Sequence, residues 1–508
     1  MCRCVPASNP RALSLRHQAW RWLYLVHRWI GIVTCLLFAM WFVSGLVMIY
    51  VPFPALTRAE RLEGLTPIAW DQVRAQPAAV LAAERGPPRT LALEMRERAP
   101  VWHVGGWDGA ERLYSAVTGA PLGSVDAAAA RRIAGDFGHA GVAGVSRVVR
   151  DQWTVAGGFD RHRPLWKARL DGPGGRILYV SSTTGMVVLD TDARERFWNW
   201  LGSVPHWLYP TVLRQDNAAW RQVVLWVSGP CIVAAIAGIW IGLLRVRLGR
   251  RRFGGGRMIP YRGWMAWHHV AGLVGGLLLV GWIFSGWLSV DPGRLFAGPG
   301  IDRAARLAYA DAGNAPPLAF DRLARIADGA KRVELSWFDG QPLLTIEGRG
   351  PAVTLDARTL APARIDPAHI RAAAARLVPG APIAAFDRLS APDFYWYDVG
   401  APPQLPIFRV KFADPAGTWA HIDPGTGAIL RVLDRRDRIY RWAFDLLHKW
   451  DLNGLTLHRP AWDILLWFFS LLGIVTSITG IRIAWARLRR RPFRLTERRR
   501  RGWTARTR

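Results

Sequence analysis

The chain has 508 residues, a formal net charge of +29 and 51% apolar residues, with 12 histidines and 4 cysteines. This length would suffice for several soluble domains, but four apolar runs almost free of charge indicate a membrane protein. The cysteines have neither the number nor the spacing of a disulfide framework or a zinc site. The positive charge is concentrated beside the apolar runs, which is typical of topology signals and argues against a nucleic-acid partner.

The four apolar runs predict transmembrane helices at residues 29–51, 223–244, 268–290 and 462–484. Each run is close to the roughly 20 residues that an apolar helix needs to cross a bilayer. The flanking segments are rich in arginine: a leader at 1–28 and a linker at 245–267, both without Asp or Glu, and a tail at 485–508 that carries RLRRR and ERRRR. By the positive-inside rule all three are cytoplasmic, so we expect a multi-pass protein of a bacterial inner membrane, in contact with lipid and with both termini in the cytoplasm. A cleaved signal peptide is the alternative for the first run, which is longer than a typical h-region and lacks a convincing cleavage site.

The chain is a tandem duplication. The segment HRWIGIVTCLLFAMWFVSG begins at His27, and HHVAGLVGGLLLVGWIFSG begins 241 residues later at His268. Later matches, at a separation of 242 residues, are His206 with His448 and Gly238 with Gly480. Each half is therefore expected to form one structural unit on the same plan, related by a pseudo-twofold axis.

Long polar segments at residues 52–196 and 291–438 predict two periplasmic α+β domains. Asp126 is placed to cap a helix in the first domain, and Asp366 with Pro367 is placed to begin the matching helix in the second. Alternating runs after each helix predict a small antiparallel sheet against which the helix packs. Interfacial segments are expected at residues 197–222 and 439–461.

Several of these motifs resemble a known family. The turns YVSSTTGMV and HIDPGTGAI, each within predicted strands after a helix, resemble those of PepSY domains. The paired openings HRWIG and HHVAG, together with HKW and the later ITGI, resemble the PepSY-associated transmembrane family. The resemblance covers nearly the whole chain except the leader and the tail. It implies an inner-membrane protein of iron acquisition, a group in which some members are haem-containing reductases of ferric siderophores.

Four histidines occupy matched positions near the ends of the predicted spans. His27 and His268, the inner pair, are expected on the cytoplasmic side, and His206 and His448, the outer pair, on the periplasmic side. Imidazole is a normal axial ligand of haem iron, and a low-spin haem takes two of them. We therefore expect two haem b groups, one at each pair, with electrons crossing the membrane between them. The alternative is that all four are interfacial residues that hydrogen-bond to carbonyls or lipid headgroups.

His269 and His458 are weaker candidate haem ligands. His269 would replace His268 if the helix were turned by one residue, about 100°, although the repeat alignment favours His268. His458 lies close to the fourth span, but its counterpart in the first half is an aspartate, which breaks the symmetry. Gly31 and Gly272, one turn after the inner pair, would leave room for a porphyrin, and close helix packing explains them equally well.

A charged motif precedes each outer histidine. Asp192 and Arg196 in the first half match Asp434 and Arg438 in the second. Arginine forms directed hydrogen bonds to carboxylates. These residues are expected either to tie the domain to the membrane surface or to neutralise haem propionates.

The sequence contains no dinucleotide fingerprint, Walker motif, HExxH or GxSxG in a suitable context, and it assigns no catalytic residue. The electron donor would then be a separate flavoprotein, a quinol or another haem protein. The family resemblance implies an oxidoreductase that reduces a periplasmic ferric siderophore, or another acceptor, and so releases iron. The alternative is a non-enzymatic PepSY protein that binds peptides or regulates a peptidase and needs no cofactor. A permease fits least well, because no acidic residue of the spans is identified as facing a shared cavity.

Overall fold

A computed structural model describes residues 10–249, 251–399, 402–456 and 458–489. Cys2, Cys4 and the outer parts of the predicted leader and tail lie outside these residues. The described chain divides into two compact units. The helical unit comprises the described parts of Met1–Leu46, Val223–Val290 and Pro460–Arg508, and the α+β unit comprises those of Val47–Gln222 and Asp291–Arg459.

Helices of very different length alternate along the chain. In chain order they are α1 Pro10–Met48, α2 Arg58–Gly64, α3 Pro77–Leu81, α4 Ala127–Gly138, α5 Ala193–Leu201, α6 Ser203–His206, α7 Thr211–Arg214, α8 Asn217–Leu244, α9 Gly263–Val274, α10 Gly276–Leu288, α11 Arg303–Ala310, α12 Phe320–Ile326, α13 Pro367–Ala374, α14 Arg435–Tyr440, α15 Asn453–Thr456 and α16 Arg459–Leu488. A π-helix, Arg441–Lys449, follows α14 directly, and short 3-10 turns occur at Trp70–Gln72, Gly157–His162 and Pro292–Arg294.

The strands all belong to the α+β unit. They are β1 Thr90–Arg96, β2 Ala99–Gly105, β3 Glu111–Ser115, β4 Val142–Val148, β5 Leu165–Leu170, β6 Ile177–Ser181, β7 Val187–Thr191, β8 Arg332–Phe338, β9 Gln341–Glu347, β10 Val353–Asp356, β11 Ile383–Leu389, β12 Ile407–Phe412, β13 Trp419–Ile422 and β14 Ile429–Leu433. Every pairing among them is antiparallel.

Among the described residues, three helices are long and apolar enough to cross a membrane: α1 from His17 onward, α8 and α16. Helices α9 and α10 pass the same test only together, because their axes differ by 63°. The break falls at Gly275 and Gly276, where the sequence predicted one continuous helix. Two consecutive glycines lack the side chains that restrict the backbone to a straight helix, which explains the bend. These helices, together with the sheets, are compatible with a membrane protein that carries α+β domains.

Two four-stranded sheets of the α+β unit repeat one design, with strand orders β4-β5-β6-β7 and β11-β12-β13-β14. Helix α4 begins at Asp126, whose side chain accepts the Ala129 N–H at 2.7 Å. Helix α13 begins at Asp366, with Pro367 at its first position. The core of each sheet includes the buried face of its helix. The predicted caps, strands and helix-on-sheet packing are thus confirmed.

A third sheet joins the two halves of the chain. Its strand order is β10-β9-β8-β1-β2-β3, so three strands come from each half. At the central pairing Leu91 lies opposite Leu335, and Leu93 lies opposite Val333. The sequence predicted two domains at residues 52–196 and 291–438, and in the structure both belong to one compact unit that contains this sheet. A pairing between strands so far apart in sequence leaves no local pattern from which it can be read.

A buried ion cluster lies beside this central pairing. Arg61 donates two hydrogen bonds of 3.1 Å to Glu94 on β1, and Arg332 on β8 donates one of 2.8 Å to Glu347 on β9. The two carboxylates are 5% and 3% exposed. Burial alone would raise the pKa of Glu94, but the Arg61 cation, with His103 and Arg332, outweighs it and holds the pKa below its usual value. Arg332 Nε also lies 3.8 Å from Glu94 Oε2, so the cluster links the two halves.

A polar triad occupies equivalent positions in the two smaller sheets. In the first half, Asp151 accepts hydrogen bonds from Lys167 at 2.9 Å and from the Tyr179 hydroxyl at 2.7 Å. The residues 242 positions later are Asp393, Arg409 and His421. There, Arg409 Nη2 donates to the carboxylate at 2.9 Å, and its Nε donates to His421 Nε2 at 2.8 Å. In both halves a cation bonds to the aspartate, whereas the third residue bonds to the aspartate in the first half and to the cation in the second.

We expect His421→Tyr, which copies the first-half residue, to reduce the acid sensitivity of the fold. His421 is fully buried, and burial, reinforced by the Arg409 cation, lowers its pKa from 6.5 to about 3. Between these values the unfolded chain binds a proton that the folded chain excludes, so stability falls as the pH drops below 6.5. One such proton changes stability by up to about 1.4 kcal/mol per pH unit.

The measurement is the apparent Tm of the detergent-purified protein between about pH 7 and 4.5, where neutral and protonated histidine interchange. His421→Tyr should flatten the curve, and His458→Tyr, at an exposed position, should leave it unchanged. Equal slopes for wild type and His421→Tyr would contradict the expectation.

Candidate functional site

The inner pair meets within the helical unit. His27 lies on α1 and His268 on α9, and their ring centroids are 6.3 Å apart with the planes inclined by 43°. Both side chains are half-buried. One histidine from each half of the duplication thus contributes to a single place.

Each inner imidazole is oriented by a backbone carbonyl of a neighbouring helix. Nδ1 of His27 lies 2.9 Å from the Ala234 carbonyl oxygen on α8, and Nδ1 of His268 lies 3.0 Å from the Thr476 carbonyl oxygen on α16. A carbonyl can only accept, so Nδ1 carries the proton in both rings. A neutral ring of this tautomer keeps its lone pair on Nε2, which is the arrangement found in metal-binding histidines.

A glycine lies against each inner imidazole. A Cβ on Gly238 would lie 2.6 Å from Cε1 of His27, and a Cβ on Gly480 would lie 3.4 Å from Cε1 of His268. The two glycines are the matched residues of α8 and α16, each four positions after the carbonyl that accepts the hydrogen bond. The sequence marked them as part of the repeat but did not show that they make room for the histidines.

The outer pair meets within the α+β unit. His206 is the last residue of α6, His448 lies in the π-helix, and their ring centroids are 6.0 Å apart with the planes inclined by 73°. Phe444 stacks on His448 at 5.1 Å with an interplanar angle of 16°. Within the described chain the structure therefore brings together both pairs that the matched positions indicated.

A buried arginine holds the π-helix that carries His448. Arg441 donates to the Asp451 carboxylate at 2.8 Å and to the Asp451 carbonyl at 2.9 Å, while its Nε donates to the Phe394 carbonyl at 2.8 Å. Arg441 and Asp451 are 4% and 1% exposed. Arg441 precedes His448 in the chain and Asp451 follows it. Their ion pair therefore holds together the two ends of the segment that contains the histidine. π-Helices are rare and often occur at functional sites.

The spacing of both pairs fits two axial ligands of one metal. Nitrogens that bind from opposite sides at about 2.0 Å stand about 4 Å apart. An imidazole centre lies about 1.1 Å behind its nitrogen, so ring centroids about 6 Å apart result. The observed values are 6.3 and 6.0 Å. The described part of the chain gathers no group of three or more His, Cys, Asp or Glu side chains for a metal ion, and axial haem ligation needs none.

Gly31 and Gly272, the two glycines expected to leave room for a porphyrin, differ in how closely other atoms approach them. A Cβ on Gly31 would meet no described atom within 4 Å, whereas a Cβ on Gly272 would lie 3.5 Å from Thr476. Position 31 is therefore open, and Gly272 lies against α16 as a helix-packing residue does.

The two weaker candidates lie apart from the pairs. His269 is buried and its ring contacts Tyr261 at 5.1 Å, while its Nε2 has no hydrogen-bond partner among the described residues. His458 is exposed, and its Nδ1 hydrogen-bonds to the Gly454 carbonyl at 2.7 Å. It is His268, and not its neighbour, whose ring faces His27.

The charged motifs before the outer histidines have a structural role in the described chain. Asp192 caps α5, and Asp434 caps α14. Arg196 donates to the carbonyls of Thr191 at 2.9 Å and Gly175 at 2.7 Å. Arg438 donates in the same way to the Gly417 carbonyl at 2.8 Å. These residues fasten each helix to the preceding sheet, which places the start of the segment that carries the outer pair.

No model of a protein family matches this sequence. No curated protein matches it either. What the histidine pairs do is therefore inferred from their own geometry and chemistry.

We expect Gly238→Ala and Gly480→Ala, which are the same change at matched positions, to have different effects. At Gly238 the new methyl group would overlap His27, so the ring or the helix must move, whereas at Gly480 it would make an ordinary contact. Overpacking costs about 1–3 kcal/mol. Alanine in a helix gains roughly 0.5–1 kcal/mol over glycine.

The apparent Tm of the purified protein should therefore fall for Gly238→Ala and stay level or rise for Gly480→Ala. Equal changes in the two variants would show that the close approach of His27 to α8 is not a feature of the folded protein.

Proposed function

We propose that this chain is an inner-membrane electron-transfer protein of the PepSY-associated transmembrane type, with haem b bound at the inner and outer pairs. Its acceptor is a ferric siderophore in the periplasm. The observation that carries the proposal is the repeated juxtaposition of two matched imidazoles, with ring centroids 6.3 Å apart in one pair and 6.0 Å apart in the other. The proposal counts α9 and α10 as one broken span and thus takes the chain as four-span.

The residues of the inner pair would orient and tune the ligand nitrogens. The hydrogen bonds of His27 to Ala234 and of His268 to Thr476 fix each ring about its side-chain bonds and increase the basicity of Nε2. The outer pair is restrained differently, by the stacking of Phe444 and by the Arg441–Asp451 ion pair. Different surroundings of the two pairs would give the two sites different reduction potentials.

Haem b held by these imidazoles would supply one-electron transfer between Fe(III) and Fe(II). A ferric siderophore takes up one such electron per iron. The lower charge of Fe(II) weakens its attraction to the anionic oxygen ligands, and iron is released. The electrons come from a separate flavoprotein or from a quinol, since the sequence carries no nicotinamide site of its own.

The placement of the basic segments supports the direction of transfer. The leader, the linker at residues 245–267 and the tail carry arginine without acid near the spans, which favours the cytoplasmic side for the ends that hold the inner pair. The α+β unit with the outer pair then belongs to the periplasm, where the acceptor is met.

The test is the absorption spectrum of the detergent-purified protein, oxidised and then reduced with dithionite, after expression with an adequate supply of haem. The wild type should show the bands of a low-spin b-type haem. His27→Ala and His268→Ala should each remove the same component, roughly half of the haem absorbance, because each site needs both ligands. His206→Ala and His448→Ala should each remove the other component.

Double variants sharpen this test. His27→Ala with His268→Ala should lose no more than either alone, whereas His27→Ala with His448→Ala should be colourless. His269→Ala and His458→Ala serve as controls and should keep the wild-type spectrum. A colourless wild type would sink the proposal and favour the non-enzymatic peptide-binding alternative, which predicts no cofactor.

A further inference from the structure

A cavity of about 310 Å³ lies in the α+β unit beneath the turn that joins β1 to β2. Its walls come from β1, β2, β3, α2, α4 and the turn between β6 and β7. The floor is apolar and includes Leu113, Ile133 and Phe137, whereas Arg96 and Arg98 lie at the turn. The volume is within the range of small-molecule binding sites.

The second half of the duplication has the same backbone at this place. Glu97 and Arg98 form the β1–β2 turn with φ of 47° and 67°, and the equivalent β8–β9 turn at Asp339 and Gly340 has φ of 47° and 75°. The residue before each turn packs on a glycine of the opposite hairpin. A Cβ on Gly185 would lie 3.0 Å from Cδ of Arg96.

The side chain that fills this place differs between the halves. Phe338 is the counterpart of Arg96, and it is fully buried with its ring against Gly427, the counterpart of Gly185. Tyr309 packs on that ring at 5.5 Å and donates its hydroxyl to the Gly427 carbonyl at 2.6 Å. In the second half aromatic rings thus occupy the position where the first half has a guanidinium beside a cavity.

Three arginines and three acids line the cavity: Arg61, Arg96 and Arg98, with Glu94, Glu97 and Asp136. Arg61 is engaged by Glu94 with two hydrogen bonds of 3.1 Å, and Glu97 accepts one of 2.6 Å from Arg132, which lies outside the cavity lining. Among the described residues neither Arg96 nor Arg98 forms an ion pair.

Arg96 is also partly withdrawn from water. Its one direct hydrogen bond in the described chain goes to the Thr184 carbonyl at 3.3 Å, and burial lowers its pKa. A half-buried guanidinium over an apolar floor is stabilised by an anion that it can bind with two parallel hydrogen bonds.

We propose that this cavity binds a small organic carboxylate with an apolar body, the carboxylate at Arg96 and Arg98 and the body against Leu113, Ile133 and Phe137. The site is independent of the two histidine pairs and needs no metal. The duplication supports it, because the matching position of the second half is closed by Phe338.

The probe is 4′-fluorobiphenyl-4-carboxylate, titrated by ¹⁹F NMR against the full-length protein in lipid nanodiscs. The wild type should show saturable binding. Arg96→Phe, which copies the second half, should weaken it by about tenfold or more, since it removes a charged hydrogen-bond donor and fills the cavity. Arg98→Gly also copies the second half, at a positive φ that glycine adopts without strain, and should weaken binding by roughly threefold or more.

Two controls separate this site from partition into lipid. Arg147→Phe makes the same chemical change at an exposed position of β4 outside the cavity and should bind like the wild type. The neutral 4′-fluorobiphenyl-4-carboxamide should bind about tenfold more weakly than the carboxylate.

The proposal is overturned if the wild type shows no saturable binding, if the carboxamide binds as well as the carboxylate, or if Arg98→Gly binds as tightly as the wild type. If Arg96→Phe fails to fold, Arg98→Gly and the pair of probes decide the question. The haem spectrum is a separate measurement, so failure of carboxylate binding leaves the histidine pairs to be judged on their own.

Discussion

The hydrogen bond from each inner imidazole to a helix carbonyl is the interaction on which the inner pair depends. A carbonyl inside a helix already accepts the N–H four residues later, but its second lone pair can take another donor if nothing covers it. Side chains in a helix point toward its N-terminus, so the residue four positions after a carbonyl covers that carbonyl. Glycine at 238 and at 480 uncovers the carbonyls of Ala234 and Thr476, and the imidazole lies in the opened space. One missing side chain thus gives both the room and the hydrogen-bond acceptor.

Each pair takes one histidine from each half, so neither half can complete a site alone. In the α+β unit this dependence has a structural basis in the shared sheet, where β1 of the first half pairs with β8 of the second. The ion cluster of Arg61, Glu94, Arg332 and Glu347 binds across that pairing. Loss of one charged partner at this pairing would leave a buried carboxylate without its cation, which is strongly unfavourable. The fold therefore keeps both halves together within the unit that brings His206 to His448.

Features that depend on neighbouring residues, or on the repeat, could be predicted from the sequence. The caps at Asp126 and Asp366, the hairpins after them and the matched histidines could be read directly, because each depends on neighbouring residues or on the repeat. The glycines at 275 and 276 are a local signal for the break after α9. The continuous apolar run around them nevertheless favoured the prediction of one unbroken helix. The carbonyl groups that accept from His27 and His268 could not be predicted, because every residue has a backbone carbonyl and the sequence does not single these out. The shared sheet and the π-helix around His448 depend on contacts between distant segments, and no local pattern announces them.

The duplication also shows which differences between the halves are structural and which are not. In the polar triads, Lys167 and Tyr179 are replaced by Arg409 and His421, and a cation still bonds to an aspartate in both. Such exchanges keep an aspartate paired with a cation. The exchange of Phe338 for Arg96 is of another kind, because the first half has a cavity at this place with a charge at its edge. A buried aromatic ring stabilises a core by roughly 1.5–3 kcal/mol relative to an exposed one. The first half lacks that stabilisation and has a partly desolvated cation instead, so close packing does not explain Arg96. In our proposal a bound carboxylate fills the cavity and stabilises the Arg96 cation, as the Phe338 ring fills the matching place in the second half.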